Sequence, residues 1–211
     1  MHGRYKTYFN LAYTIASNYF GSYVQELNFT DFWLTEGIRH SLSHLYATIR
    51  CGDLLYKYKT MKNIEFIVQR SESGREYYSL TSENLPKPSL LQYDDYYYIK
   101  SGLLMHIVKN KVSQDNYHKI LRGILKDCSR NHKSVETKDF YLICKDTFAF
   151  NPKKFLSNWL RHTGVLELTL KYEYNKKQQC VVYEVEHRSS FNNYLAREKY
   201  LEEKLHNNQI T

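Results

Sequence analysis

Three features of the 211-residue sequence predict a mostly α-helical fold that ends in a β-hairpin. Apolar residues recur at helical spacing, glycines and an Asn-Pro pair punctuate those stretches, and strict alternation appears near the C-terminal end. The first helix is expected from Arg4 to Tyr19, with Leu11, Ile15 and Tyr19 on one stripe at helical spacing and Gly21 as its stop. A second begins at about Asp31, carries Leu34, Ile38, Leu42, Leu45 and Ile49, and closes at Gly52. Asp53 caps a third, polar-faced helix that reaches Gln69. From Ser71 to Gln92, serines, a glycine, Pro86 and Pro88 predict a loop-rich link.

Helices resume from Asp94 to Lys111, with Ile99, Leu103, Ile107 and Val108 facing inward. Ser113 caps the next, whose apolar face is Ile120, Ile124 and Leu125, and Ser134 opens another that runs through Cys144. Asn151-Pro152 combines a cap with a first-turn proline, and Gly164 is the corresponding stop. Val165–Tyr174 and Gln179–His187 alternate as the two strands of a hairpin across Asn175-Lys176-Lys177. The expected organisation is a helical domain over 1–163, a hairpin over 164–189 and a charged helical tail over 190–211.

Composition sets outer bounds. A hydrophobic content of 42% argues for a packed core, and the length suffices for one large or two modest domains. Cys51, Cys128, Cys144 and Cys180 show no metal or redox spacing, and no secretory or membrane-spanning apolar run appears, so a reducing compartment and no membrane are expected. The net charge of +8 is compatible with DNA, through counterion release. Yet the lysines are scattered in small groups such as Lys57, Lys59 and Lys62, or Lys176 and Lys177, as on solvated helix faces and turns.

The most informative spacing joins Tyr13-Thr14-Ile15-Ala16-Ser17 and Phe20-Gly21 to Trp33-Leu34-Thr35-Glu36-Gly37, with eighteen residues between Ser17 and Glu36. In a gluzincin site, His-Glu-x-x-His on one helix supplies two zinc ligands and the general base, and a glutamate on the next helix supplies the third ligand. The segment resembles the aminopeptidase N-like family, whose pattern reads His-Glu-Leu-Ala-His-x-Trp-Phe-Gly and then Trp-Leu-x-Glu-Gly. On that pattern Tyr13 and Ser17 stand where the two histidines belong, Thr14 replaces the general base, and Glu36 alone survives. Phenol and aliphatic hydroxyls stay protonated at neutral pH and ligate zinc poorly, and threonine takes no proton from water, so no metal, cofactor or catalysis is expected.

The resemblance continues in Tyr98-Ile99-Lys100-Ser101-Gly102, where the family carries a transition-state tyrosine in Tyr-x-Lys-Gly. It reaches Trp159 and Gly164, where the family's helical domain gives way to a small β-sandwich, and the hairpin with Tyr174-Asn175-Lys176-Lys177. It thus implies the C-terminal part of a gluzincin, thermolysin-like helical domain followed by the first strands of a β-sandwich. A family member would also carry an N-terminal β-sandwich and the first part of the catalytic domain, so a fragment is expected. The departures are similar to the branch with a degenerate zinc site that serves in the general transcription factor TFIID. That branch implies a non-enzymatic nuclear scaffold in RNA polymerase II initiation, with other TFIID subunits and core-promoter DNA within the complex as partners. The alternatives are an inactive or atypical aminopeptidase-family protein that holds peptides or keeps weak metallopeptidase activity, and an autonomous DNA-binding protein.

Rival sites are weaker. His40 and His44 share a helix face, but Glu36 and His44 lie about 12 Å apart along the axis, too far for one ion, and the histidines read as ordinary polar positions. Tyr13, Tyr19, Tyr23 and Tyr96–Tyr98 offer a base-stacking platform, but among 21 tyrosines they read as filling for the former cleft, which makes the domain a rigid spacer. Asp94 and Asp95 diverge on a helix and suit its N-terminus better than acid–base chemistry. No histidine is placed by motif beside Cys51, Cys128 or Cys144 to make a thiol nucleophile.

Overall fold

The computed structural model describes residues 2–72, 79–81, 95–130, 134–148, 151–161 and 166–189. Seven α-helices are described: α1 (His2–Tyr19), α2 (Phe32–Cys51), α3 (Asp53–Glu72), α4 (Asp95–Val112), α5 (Gln114–Arg130), α6 (Thr137–Phe148) and α7 (Lys153–Arg161). Two very short strands, β1 (Gln25–Glu26) and β2 (Ser134–Val135), pair in parallel. A ten-residue antiparallel hairpin, β3 (Leu166–Asn175) and β4 (Cys180–Ser189), follows the helices. Gly164, most of the proline-bearing link and the charged tail lie outside the described residues.

Helix α2 is the centre of the fold, buried along most of its length between α1 on one side and α4 on the other. Trp33, Leu34 and Ile38 join Tyr97, Leu104, Met105 and Val108 of α4 and Tyr117, Ile120 and Ile124 of α5 in one continuous core. Each such side chain contributes on the order of 1.5–3 kcal/mol by leaving water. The sequence pattern is confirmed for α5 at Ile120 and Ile124, and for the stop at Gly52, whose φ of +92° a side chain would strain. Asn151 caps α7 as expected, its Oδ1 accepting from the Lys153 amide at 2.9 Å.

Two helices turn a different face inward from the one the apolar stripe suggests. In α1, Leu11, Ile15 and Tyr19 are each more than half exposed, whereas Tyr5 and Ala16, with Phe20 just past the helix end, are buried. The reason is the antiparallel seat on α2, where Tyr5 meets His44, Phe9 meets His40 and Tyr13 meets Glu36; these partners dictate the face more strongly than aliphatic hydropathy does. In α4 the buried set is Tyr96, Tyr97, Lys100, Ser101, Gly102, Leu104, Met105, Val108 and Val112, so Val108 is inward as expected, but Ile99, Leu103 and Ile107 are only half-buried. Ile49, near the end of α2, is exposed.

The α2–α4 crossing is close. A methyl group added at Gly37 would lie 2.7 Å from the Ser101 carbonyl oxygen and 2.9 Å from Met105 Cγ. A backbone oxygen cannot rotate away, so Gly37→Ala is expected to cost about 1–3 kcal/mol or more by forcing the helices apart. Urea unfolding of the variant, with the slope of the transition as a check on two-state behaviour, measures this loss.

Ser134 is a strand residue and does not open a helix; α6 starts three residues later. The cause is a polar clasp at the far end of α2. Asp31 does not cap α2 with its side chain; its Oδ1 instead accepts from the Thr137 amide at 2.9 Å and from Thr137 Oγ1 at 2.6 Å, at the first turn of α6. The Trp33 indole N–H donates to the same Thr137 hydroxyl oxygen at 3.0 Å. Ser113, expected as a cap, sits between α4 and α5 with φ of +76°, and its carbonyl accepts the Tyr117 amide.

Candidate functional site

The positions that correspond to a zinc centre lie where α1 and α2 face each other, close to the N-terminal turn of α4. Tyr13 reaches across from α1, and its hydroxyl donates to Glu36 Oε1 at 2.5 Å. One helical turn beyond Glu36, the Arg39 guanidinium forms an ion pair with the other carboxylate oxygen. That guanidinium lies 5.5 Å from the centre of the Tyr13 ring and 5.6 Å from that of Phe32, so it is held between two aromatic rings. Gly21, with φ of +123°, turns the chain after α1, and a Cβ there would come within 3.2 Å of an Arg39 nitrogen.

The chemistry of this arrangement follows from its partners. Glu36 is fully buried, and burial pushes its carboxyl pKa upward against the pull of Arg39 and the Tyr13 hydrogen bond. Burial, followed by the neighbouring Glu36 charge, drives the Tyr13 phenol far above its ordinary range, so it stays a protonated donor. Thr14 Oγ1 donates to the Asn10 carbonyl at 3.0 Å and Ser17 Oγ to the Tyr13 carbonyl at 2.8 Å, so both hydroxyls are turned back onto their own helix.

These residues do not fit a zinc ion. Both oxygens of the surviving carboxylate have donors, the phenol is protonated, and the charge that a dication would supply beside Glu36 is supplied by Arg39. Among the described residues, no group of three or more His, Cys, Asp or Glu side chains is placed to hold a metal ion.

Beside this cluster is a cavity of about 620 Å³, lined among others by Tyr13, Tyr98, Phe9, His40, His44 and Lys59. Tyr13 and Tyr98, brought together by motif in the sequence, thus border the same space. The space that Tyr13 and Tyr98 border is therefore not packed solid, contrary to expectation. Tyr19 and Tyr23 are exposed, and Tyr96 and Tyr97 are buried; the Tyr97 hydroxyl donates to the Leu80 carbonyl at 3.2 Å. Asp95 stands exposed in the first turn of α4, as its helix-end role requires, and Asp94 lies outside the described residues.

His40 and His44 are not ordinary polar positions. Their rings are 4.7 Å apart, and Phe9 packs on both, at 5.0 and 4.8 Å. Tyr5 Oη lies 2.6 Å from His44 Nδ1, which fixes one side of that ring. His40 Nδ1 is buried without a hydrogen-bond partner, against Gly102 of α4. Burial pushes the His40 pKa down to about 4 and holds that of His44 well below the usual imidazole range. Sequence reasoning missed Arg39 and this aromatic cluster. The only available signal for Arg39 was its position one turn after Glu36.

Comparison with solved structures places the fold. The chain matches a two-domain M1 zinc metallopeptidase bound to L-tryptophan with a TM-score of 0.60 and 17% identity, over 74% of this chain and 33% of that one. It also matches aminopeptidase A of Legionella pneumophila in complex with aspartic acid, with a TM-score of 0.66 and 15% identity, over 87% of this chain and 20% of that one. No protein-family model and no curated protein matches the sequence. The fold is therefore that of part of a gluzincin-type aminopeptidase helical domain, followed by a hairpin, and the chain spans a third or less of the structures it matches.

Proposed function

We propose that this aminopeptidase-like fold acts without catalysis, as a scaffold subunit of TFIID in RNA polymerase II initiation. The observation that carries the non-enzymatic part is the Tyr13–Glu36–Arg39 cluster, in which an internal cation and a phenol satisfy the carboxylate that a peptidase would give to zinc. Thr14 offers no general base, and without an activated water there is no nucleophile for a peptide carbonyl. The assignment to TFIID rests on the sequence resemblance, including the degenerate zinc positions Tyr13, Thr14 and Ser17, the Val165-Leu166 departure after Gly164, and the Tyr172–Lys177 turn. On that reading the chain works in the nucleus beside other TFIID subunits and meets core-promoter DNA as part of the complex.

The reading predicts that the purified chain takes up no stoichiometric zinc, that a chelator leaves its thermal midpoint unchanged, and that it cleaves no aminoacyl reporter. Metal analysis and the reporter assay check these outcomes. Chelator-sensitive cleavage would instead support the atypical-peptidase alternative, for which the cavity beside Tyr13 and Tyr98 is the natural peptide seat. Recovery of TFIID subunits with the tagged chain from nuclear extract tests the assembly role, and their reproducible absence would refute it.

A further inference from the structure

Helices α1, α2, α3 and α4 all contribute walls to the cavity beside Tyr13. Its volume of about 620 Å³ lies within the range of about 300–1,000 Å³ that small-molecule sites occupy. Much of the lining is aromatic. Phe9 and Tyr13 stack at 6.2 Å with 20° between their planes, and Tyr98 borders the same space. The His40 and His44 rings against Phe9 are uncharged at pH 7, because burial holds their pKa values low. The fixed charge is positive. Lys6 of α1 and Lys59 of α3 both line the space, and burial and then the Lys6 charge lower the Lys59 pKa, which places the two ammonium groups within electrostatic reach. Asp95, exposed in the first turn of α4, is the one carboxylate among the described lining residues. Glu36 does not line the space, and its charge is matched by Arg39.

We propose that this cavity binds a small aromatic carboxylate, with its ring against the Phe9–Tyr13 stack and its carboxylate at Lys6 and Lys59. Two ammonium groups against one carboxylate leave a single net positive charge among the lining residues, which a monoanion balances. An aliphatic anion would leave the ring surfaces uncovered, and a neutral aromatic molecule would leave the two lysines repelling each other. Asn10 and Asn63 line the same space and offer amide groups to the polar end of the guest. The preference is opposite to that for an amino terminus, whose ammonium the lysines repel. A free aromatic acid and the C-terminal residue of a peptide present the same chemistry to the site. This inference is independent of the TFIID reading, since it rests on the cavity and its charges, and a scaffold subunit can hold such a ligand.

Isothermal titration calorimetry of the full 211-residue chain with 3-phenylpropionate and N-acetyl-L-phenylalanine tests it. Both acids should bind, and phenethylamine and N-acetyl-L-phenylalaninamide, which keep the ring without the negative charge, should bind at least ~10-fold more weakly. Tighter binding of N-acetyl-L-phenylalanine marks a peptide C-terminus as the source of the ligand, and tighter binding of 3-phenylpropionate marks a free acid. Lys59→Gln should weaken the acids by ~10-fold and leave the amide unchanged, whereas Lys59→Arg should restore most of the affinity. Lys57→Gln, on the same helix but outside the cavity, should change nothing. Circular dichroism should show unchanged helix in each variant. A benzophenone carboxylate should, on irradiation, label peptides carrying residues 5–13 or 95–99. No heat from either acid at millimolar concentration, equal affinity for acid and amide, indifference to Lys59→Gln, or labelling confined to other peptides would each overturn the proposal.

Discussion

Arg39→Ala is expected to be among the most damaging single substitutions in this protein, at roughly 3–5 kcal/mol, because it leaves a buried carboxylate without its counter-charge. Glu36 has almost no exposed surface, and the Tyr13 hydroxyl that would remain offers it a hydrogen bond but no charge. The cost should not come from lost packing alone. Arg39→Met keeps an apolar stem between Tyr13 and Phe32 and should still be strongly destabilising. Pairing it with Glu36→Leu, which removes the carboxylate as well, should recover most of the loss, as replacing a whole buried ion pair with apolar groups often does. A double-mutant cycle by urea denaturation measures the coupling. Additive effects of the two substitutions would show that the ion pair does not hold this site together.

Acidification is expected to destabilise the fold steeply through His40. Its pKa is about 4 in the folded chain, against an ordinary imidazole value near 6.5, because burial against Gly102 and Phe9 strips water from the charged ring. The unfolded chain therefore takes the proton first. Stability due to the neutral ring is complete above about pH 6.5 and is lost as pH falls toward 4, at about 1.4 kcal/mol per unit, so the full window amounts to about 3 kcal/mol. His44 acts in the same direction, its charge disfavoured by burial first and then by His40, His106, Lys109 and Lys59. Glu36 acts in the opposite direction, since its raised pKa lets the folded state take up a proton earlier on acidification. Two buried histidines act one way and one carboxyl the other, so the net effect expected on acidification to pH 5 is a loss of stability. Urea midpoints from pH 7.5 down to pH 5 should fall, and His40→Leu should flatten the slope by about one proton. An unchanged slope in that variant would remove His40 from the account.

Most of the helices were legible in the sequence, because start and stop signals are local. Gly52 ends α2 and Asn151 caps α7 through their own backbone and side-chain geometry, whatever packs nearby. Faces were harder to read. Leu11, Ile15 and Tyr19 form a better aliphatic stripe than Tyr5, Phe9 and Ala16, but the buried face is decided by what α2 offers opposite, namely histidines and a glutamate suited to phenol and ring contacts. In α4 nearly every position from Tyr96 to Val108 tolerates burial, so the pattern selects no face, and the close approach of Gly37 to Ser101 decides it. The candidate site was half visible. Motif spacing brought Tyr13 to Glu36, but the pairing of Arg39 with Glu36 has no spacing signature, because a guanidinium reaches its carboxylate from many positions.

The Asp31–Thr137 clasp also bears on how this chain tolerates change in length. It joins residues 106 positions apart, and the entropy of closing so long a loop rises only logarithmically, by about 0.6 kcal/mol for each doubling. Extra residues inserted between the helices it encloses would therefore weaken closure very little, provided both anchors keep their hydrogen bonds. Diversification by insertion is open to the connecting segments of this architecture, and closed to the few polar atoms that fasten its two ends.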